Sequence, residues 1–196
     1  RAAYFVAQAV ARKLIEAKRE SEPGAPQIDV RVVKLGSRFN VGPFDIELIT
    51  VAHSIPESNA LIIRTPHGTV LHTGDWKIDP TPIIGLPTDE RRLRELGDAG
   101  VLALVGDSTN AVRDGRSPSE AEVATIIAGL VKSAKGRVAV TTFASNVARV
   151  KAVADAARAA DREVVVVGRA MERVVQVARE CGYLDGTQSF RGMDLY

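Results

Sequence analysis

The sequence predicts an α/β fold, and two patterns support this prediction. Between residues 44 and 72, three strand-like runs follow one another, and the last two are joined by a tight turn at Pro66-His67-Gly68. From about residue 117 onward, strand-like and helix-like segments alternate, which is typical of parallel strands joined by crossover helices. We therefore predict a hairpin-based sheet followed by a Rossmann-like unit, with the boundary near residues 111–117.

Composition narrows the classes of function. The chain has 196 residues, of which 45% are hydrophobic, enough for one substantial core or two small ones. Its formal net charge is only +2, so nucleic-acid binding would depend on a local groove. The single cysteine, Cys181, excludes an internal disulfide and favours a reducing compartment. No run of about 18 apolar residues occurs, so we expect no membrane span.

Other elements follow from local patterns. An apolar stripe predicts a helix over residues 2–19. Thr88 is the predicted N-cap of a short helix. The continuous apolar run at 100–110 predicts a strand buried on both faces. Two further strands are predicted in the second part, at residues 136–144 and 162–168.

Two polar corners flank the strand pair in the first part. His53 comes after one strand and Asp75 after another, 22 residues later. Antiparallel strands can bring both residues to the same rim of one sheet. A converging imidazole and carboxylate suit a metal ion. A hydrogen-bonding histidine and a turn-forming aspartate are the alternative, and the pair alone does not decide between them.

Three further places carry candidate chemistry. Asp107 follows the apolar run, either as a site residue or as part of an Asx-type turn. Ser145 and Asn146 begin a predicted helix, where backbone N–H groups favour an anion, and Phe143 beside them suits base stacking. Arg169 begins the next helix and suits a phosphate. Ordinary helix capping and a solvated arginine are the alternative.

Six short motifs occur in one order: HSIPES, HTGDWKID, GDSTNA, SPSE, TTFASN and VVGRAM. Together they resemble the ribonuclease J family, of the metallo-β-lactamase fold with an inserted β-CASP domain. The resemblance runs from about residue 28 to the end of the chain. It implies that residues 1–113 form the C-terminal part of an αββα metallo-β-lactamase-like domain. Residues 114–196 would then form the N-terminal part of a Rossmann-like β-CASP domain.

The resemblance also implies a function. It is that of a cytoplasmic zinc-dependent ribonuclease with 5′-to-3′ exonuclease and endonuclease activity in RNA processing and decay. His53 would ligate one of two zinc ions, and Asp75 would bridge both beside a hydroxide that attacks a phosphodiester. Manganese or magnesium are the other metals to consider. Asp107 would be catalytic by orienting a distant histidine.

The partners implied by the resemblance are RNA, with a preference for 5′-monophosphate ends, and further copies of the chain. A full-length homodimer or homotetramer is implied. The residues expected to bind RNA or its phosphates are Phe143, Ser145, Asn146 and Arg169.

The sequence departs from the family pattern in its histidines. The family's HxHxDH motif and its closing histidine do not occur, and His67 and His72, the two histidines besides His53, are predicted to be a turn residue and a structural residue. We therefore expect this chain to be an internal piece of a larger protein that, alone, binds zinc poorly and cleaves no RNA. The alternatives are another metallo-β-lactamase-fold nuclease or hydrolase and a non-catalytic RNA-binding module.

Overall fold

The computed structural model describes residues 4–192, with side chains from residue 8 onward. Contacts group these residues into two compact units. We call Val33–His53 together with Glu57–Ser119 the sheet unit, and the remaining described residues the helical unit. The predicted domain division between residues 113 and 114 stays a prediction.

The first part of the described chain is mainly strands, and the last part is three consecutive helices. In chain order the elements are β1 (Tyr4–Ala7), α1 (Ala9–Glu20), β2 (Asp29–Val32), β3 (Arg38–Val41), β4 (Phe44–Thr50), β5 (Asn59–Thr65), β6 (Gly68–His72), α2 (Glu90–Ala99), β7 (Ala103–Val105), α3 (Glu120–Ser133), α4 (Val147–Ala159) and α5 (Arg169–Glu180). No helix among them is long and apolar enough to cross a membrane.

The sheet unit is built on five described strands in the order β3-β4-β5-β6-β7. Neighbours from β3 to β6 are antiparallel, whereas β6 and β7 are parallel. Gly68 begins β6 with a φ of +143°, and a Cβ at this position would lie 2.9 Å from Leu102. Only glycine meets both requirements without strain. The predicted α/β class and the tight hairpin are confirmed, and the sheet is mixed because β6 and β7 are parallel.

The core of the sheet unit comes from the inward-facing residues of β4 and β5. Ile49, Ala60 and Ile62 are at most 2% exposed, and Leu96 of α2 packs against them. Burying a side chain of isoleucine size contributes roughly 1.5–3 kcal/mol. Trp76 also packs against this cluster.

Glu47 of β4 joins α2 to the sheet through two arginines. Arg92 of α2 donates two hydrogen bonds to its carboxylate, at 2.6 and 3.0 Å, and Arg64 of β5 donates another. The Glu47 side chain is only 13% exposed. Hydrogen bonds from Arg92 above all, with those of Arg64, lower the pKa of Glu47 to about 2.

The helical unit packs around α4. This helix is rich in alanine and valine and buries residues on most of its surface, among them Val147 and Ala154. An ion pair of 2.6 Å joins Lys13 of α1 to Glu180 of α5, and β1 and β2 pair in parallel. Small side chains let neighbouring helices approach α4 closely, so packing here depends on shape more than on large apolar residues.

The prediction of a strand buried on both faces at 100–110 was wrong. The strand is limited to β7, and Leu102 and Leu104 are 68% and 66% exposed. Among the described strands, β7 lies at the edge of the sheet and pairs only with β6. All three residues of β7 are exposed, so neither face of this strand is covered by other described residues, which the apolar pattern alone does not reveal.

The strands predicted at 136–144 and 162–168 were also wrong as regular elements. Val138 and Phe143 are 42% and 84% exposed, and no described residue between 134 and 146 belongs to a strand. The second segment forms one isolated parallel bridge, between Val165 and Arg191. A strand needs a neighbour paired along its length, and among the described residues the first segment has none and the second has only this single bridge.

Two helix starts differ from the predictions. The helix predicted over residues 2–19 begins at Ala9, because residues 4–7 pair with β2 as a strand. Thr88 does not cap α2. The N-cap is Asp89, whose carboxylate accepts a hydrogen bond of 3.0 Å from the Arg92 amide.

Glu47→Gln should lower the free energy of unfolding by about 3 kcal/mol at neutral pH, because a neutral amide removes the carboxylate charge that Arg92 and Arg64 share. The wild-type pKa falls from 4.5 to about 2 on folding. Its stabilisation is therefore complete above pH 4.5 and is lost as the pH falls towards 2. Urea unfolding between pH 2 and pH 7 measures both the loss in the variant and the pH dependence of the wild type.

Glu95→Gln is the matched control for Glu47→Gln. Glu95 also pairs with Arg92, at 3.1 Å, but its side chain is 43% exposed. We expect a loss below about 1 kcal/mol, as is usual for an exposed pair. Equal losses in the two variants would contradict the role given to Glu47.

Candidate active site

Three strands of the sheet unit end at the same edge. β4 is antiparallel to β5, β5 is antiparallel to β6, and β6 is parallel to β7, so β4, β6 and β7 run in one direction. His53, Asp75 and Asp107 follow the C-terminal ends of these three strands. Strand direction alone therefore places an imidazole and two carboxylates along one rim, which is a usual location for a site.

His53 and Asp75 meet at this rim. His53 Nε2 lies 3.8 Å from Asp75 Oδ2, longer than a hydrogen bond. Their side chains are 31% and 80% exposed, so both polar groups reach solvent. The prediction that the two residues share a rim is confirmed, and their role as ligands stays a prediction.

Asp107 forms a tight local turn. Its Oδ1 accepts hydrogen bonds from the hydroxyl of Thr109, at 2.6 Å, and from the amide of Thr109, at 2.9 Å. The hydroxyl above all, then the amide and the charge of His53, hold the pKa of Asp107 below its usual value. This is the Asx-type turn that the sequence left open as an alternative. Asp107 nevertheless belongs to the same rim, because it follows the C-terminal end of β7, which runs parallel to β6.

Thr73 connects the loops that carry the two aspartates, and sequence reasoning missed it. Its hydroxyl accepts a hydrogen bond of 3.0 Å from the Asp107 amide and donates one of 2.7 Å to the Gly74 carbonyl. The side chain is 4% exposed. Gly74 then turns the chain towards Asp75 with a φ of +60°. The only sequence signal was the position of Thr73 directly before Gly74.

The donor pair at the rim fits part of a metal site. Two ligand atoms on one zinc ion lie at most about 4 Å apart, since each lies about 2.0–2.2 Å from the metal. The 3.8 Å between His53 and Asp75 is compatible with this limit. Among the described residues, however, no three or more His, Cys, Asp or Glu side chains form a group that could hold a metal. The pair therefore fits as two ligands and does not complete a site by itself.

The other histidines lie as predicted. The Nδ1 atom of His72 accepts a hydrogen bond of 3.1 Å from the Gly74 amide, which gives the ring a structural role. His67 is exposed in the turn between β5 and β6.

The residues expected to bind RNA lie at two helix starts in the helical unit. Phe143, Ser145 and Asn146 form the turn before α4, and the Phe143 side chain is 84% exposed. Asn146 caps α4 by accepting a hydrogen bond of 2.9 Å from the Arg149 amide. Arg169 is the first residue of α5 and is exposed. Capping thus occupies the side-chain oxygen of Asn146. The side chains of Phe143, Ser145 and Arg169 are exposed.

Comparison with known proteins identifies the family. Residues 135–192 match the family model of the ribonuclease J beta-CASP domain. Ribonuclease J of Sinorhizobium meliloti is 53% identical over 181 residues, which covers 92% of this chain and 32% of that protein. This chain belongs to the ribonuclease J family.

Other members of the ribonuclease J family give the same result. Ribonuclease J of Thermus thermophilus is 42% identical over 83% of this chain and 28% of that protein. Ribonuclease J of Helicobacter pylori is 44% identical over 79% of this chain and 22% of that protein. The chain thus spans about a third or less of the length of these relatives.

A solved structure shares the fold. It is a protein of unknown function from Enterococcus faecalis, which matches with a TM-score of 0.66 over 97% of this chain and 45% of that one. At 16% identity the likeness shows the fold alone.

Thr109→Val should raise the pKa of Asp107 towards its ordinary value, because the hydroxyl bond is the largest cause of the lowered pKa. Thr109→Ser keeps a hydroxyl and should leave the pKa low. Carboxyl carbon resonances followed by NMR through an acid titration measure the pKa directly. The turn should weaken as the pH falls through the folded pKa, because a lowered pKa stabilises only the ionised form. An unchanged pKa in Thr109→Val would contradict this account.

Proposed function

We propose that the protein carrying this chain is a metal-dependent ribonuclease that processes and degrades RNA by 5′-to-3′ exonuclease and endonuclease cleavage. Membership of the ribonuclease J family supports the reaction class. The observation that carries the proposal in this chain is the convergence of His53 and Asp75, 3.8 Å apart, at the rim that also bears Asp107. Exposure of both side chains leaves room for a phosphodiester.

Under this proposal His53 and Asp75 are ligands of a divalent ion, with zinc first and manganese or magnesium as alternatives. An imidazole nitrogen and a carboxylate oxygen are both zinc ligands. A bound ion would supply charge stabilisation for phosphodiester hydrolysis. Two side chains hold an ion weakly, so further ligands must complete the site. We accordingly expect the 196-residue chain alone to bind zinc poorly and to cleave no RNA.

Asp107 has a different part in the proposed site. Thr109 donates two hydrogen bonds to its Oδ1 atom, and these bonds keep the pKa of the group low, so that it stays ionised. An ionised carboxylate held in this way can orient a histidine and fix its tautomer. We propose this orienting role for Asp107, in support of proton transfer at the rim.

RNA would contact the helical unit at the starts of α4 and α5. Phe143 offers an exposed ring for stacking, and Arg169 offers a guanidinium for a phosphate. Ser145 adds an exposed hydroxyl, and Asn146 holds the first turn of α4 in place. We propose that these residues give a preference for RNA with a 5′-monophosphate.

We also propose a cytoplasmic location and an oligomeric state. A single cysteine, Cys181, suits the reducing cytoplasm. We further propose that the full-length protein assembles as a homodimer or homotetramer.

Asp75→Ala in the full-length protein should reduce RNA cleavage by roughly a hundred-fold or more, because it removes a charged ligand from the rim. A chelator should abolish cleavage by the wild type, and 5′-monophosphate RNA should be cut faster than 5′-triphosphate RNA. Asp98→Ala, which removes an exposed carboxylate of α2, is the control and should leave the rate unchanged. Tight RNA binding without cleavage at any metal concentration would instead indicate a non-catalytic RNA-binding protein.

Phe143→Ala should weaken RNA binding roughly ten-fold, because stacking on one base contributes about 1–3 kcal/mol. Phe143→Leu is the matched control, since leucine keeps the apolar surface but has no ring, and it should show most of the same loss. Binding is measured with a catalytically inactive variant and labelled single-stranded RNA. A Phe143→Leu variant that binds like the wild type would exclude stacking.

A further inference from the structure

Thr88 occupies an unusual place between the two loops that carry His53 and Asp75. Ala52 and Lys77 form an isolated antiparallel bridge, in which the Lys77 amide donates a hydrogen bond of 2.9 Å to the Ala52 carbonyl. In an ordinary hydrogen-bonded pair of this kind the return bond is direct. Here it passes through the Thr88 hydroxyl, which accepts from the Ala52 amide at 2.9 Å and donates to the Lys77 carbonyl at 2.8 Å.

This hydroxyl acts as a spacer between two backbones. Two hydrogen bonds in series span a greater distance than one direct bond, so the segments after β4 and β6 are held apart on one side of the bridge. Ala52 directly precedes His53, and Lys77 lies two residues after Asp75. The separation of the two backbones therefore controls the separation of the two side chains.

Thr88 is itself held firmly. Its side chain is 8% exposed, and Ala52 is 4% exposed, so water does not easily replace the lost hydrogen bonds. The next residue, Asp89, caps α2 and donates a backbone hydrogen bond of 3.0 Å to the Thr50 carbonyl. The position of α2 on the sheet thus fixes the spacer.

We propose that Thr88 is a positioning residue whose hydroxyl sets the distance between His53 and Asp75, and through it their capacity to bind one metal ion together. The proposal rests on the proposed function for the role of the ion. Thr88 touches neither metal nor substrate, and it acts only through the backbone on each side of the rim.

Matched variants of the full-length protein separate this role from ordinary stability. Thr88→Val keeps the shape and removes the hydroxyl, Thr88→Ser keeps the hydroxyl, and Thr88→Ala is a second hydroxyl-free variant should valine impair folding. Thr65→Val is the control. The Thr65 hydroxyl likewise accepts from one amide, that of His67, and donates to one carbonyl, that of Gly68, both at 3.1 Å. It does so at the turn after β5, at the opposite edge of the sheet.

Zinc affinity is the first readout, measured in competition with a chromophoric chelator. Thr88→Val and Thr88→Ala should bind zinc roughly 10–100-fold more weakly, the range usual for groups that support metal ligands. Thr88→Ser and Thr65→Val should stay within about two-fold of the wild type. An equal loss in Thr65→Val, or unchanged affinity in both hydroxyl-free variants, would overturn the proposal.

The His53 ring gives a second readout that needs no metal. In the metal-free protein, Thr88→Val should shift the His53 imidazole resonances, and Thr88→Ser and Thr65→Val should not. If the wild type binds zinc but cleaves no RNA, the proposed function fails and the affinities still decide the role of Thr88. If the wild type binds no zinc, the His53 resonances decide it, and unmoved resonances would refute it.

Discussion

The packing of α2 on the sheet is the constraint on which the rim depends. Leu96 buries the apolar face of α2 against Ile49 and Ile62, and Arg92 fixes its rotation through two hydrogen bonds to Glu47. Apolar burial supplies most of the stabilisation of α2 on the sheet. The charged pair selects one orientation of the helix, because a guanidinium and a carboxylate fit together in few geometries. The N-terminal end of α2 is thereby placed beside the ends of β4 and β6. A helix that looks like a covering layer thus also determines where the polar groups of the rim lie.

The rim was largely predictable because its geometry follows from strand direction. Alternating residues and the turn before Gly68 fix a hairpin, and a hairpin returns the chain to the edge from which it started. His53 and Asp75 had to meet once β4, β5 and β6 were correctly assigned. Each strand and the turn can be assigned from residues that are neighbours in the sequence, so the location of the rim follows from local patterns.

The errors share one physical cause, which is that a strand is defined by its partners. Residues 100–110 and 136–144 have the apolar, β-branched composition of buried strands, yet β7 lies at an edge of the described sheet and Val138 is exposed without a ladder. Residues 4–7 look helical in sequence but pair with β2. Amino-acid composition indicates how readily a segment can form a strand, and a neighbouring strand to pair with decides whether it does.

The two threonines of the site were beyond sequence reasoning for a related reason. A threonine before a helix suggests a cap, and Asp89 one residue later suggests the same, so the pattern does not say which residue caps. Only the position of Ala52 and Lys77 turns the Thr88 hydroxyl into a link between loops. Thr73 has the same character, since its acceptor role depends on β7 lying beside β6. Hydroxyl bonds to distant backbone groups leave no periodic trace in a sequence.

The central claim is that His53 and Asp75 serve one metal ion. Anomalous diffraction at the zinc edge, from crystals of the full-length protein grown with zinc, tests it most directly. The account predicts an anomalous peak about 2.0–2.2 Å from both the His53 imidazole nitrogen and an Asp75 carboxylate oxygen. A zinc peak elsewhere in the molecule, with neither residue as a ligand, would contradict it.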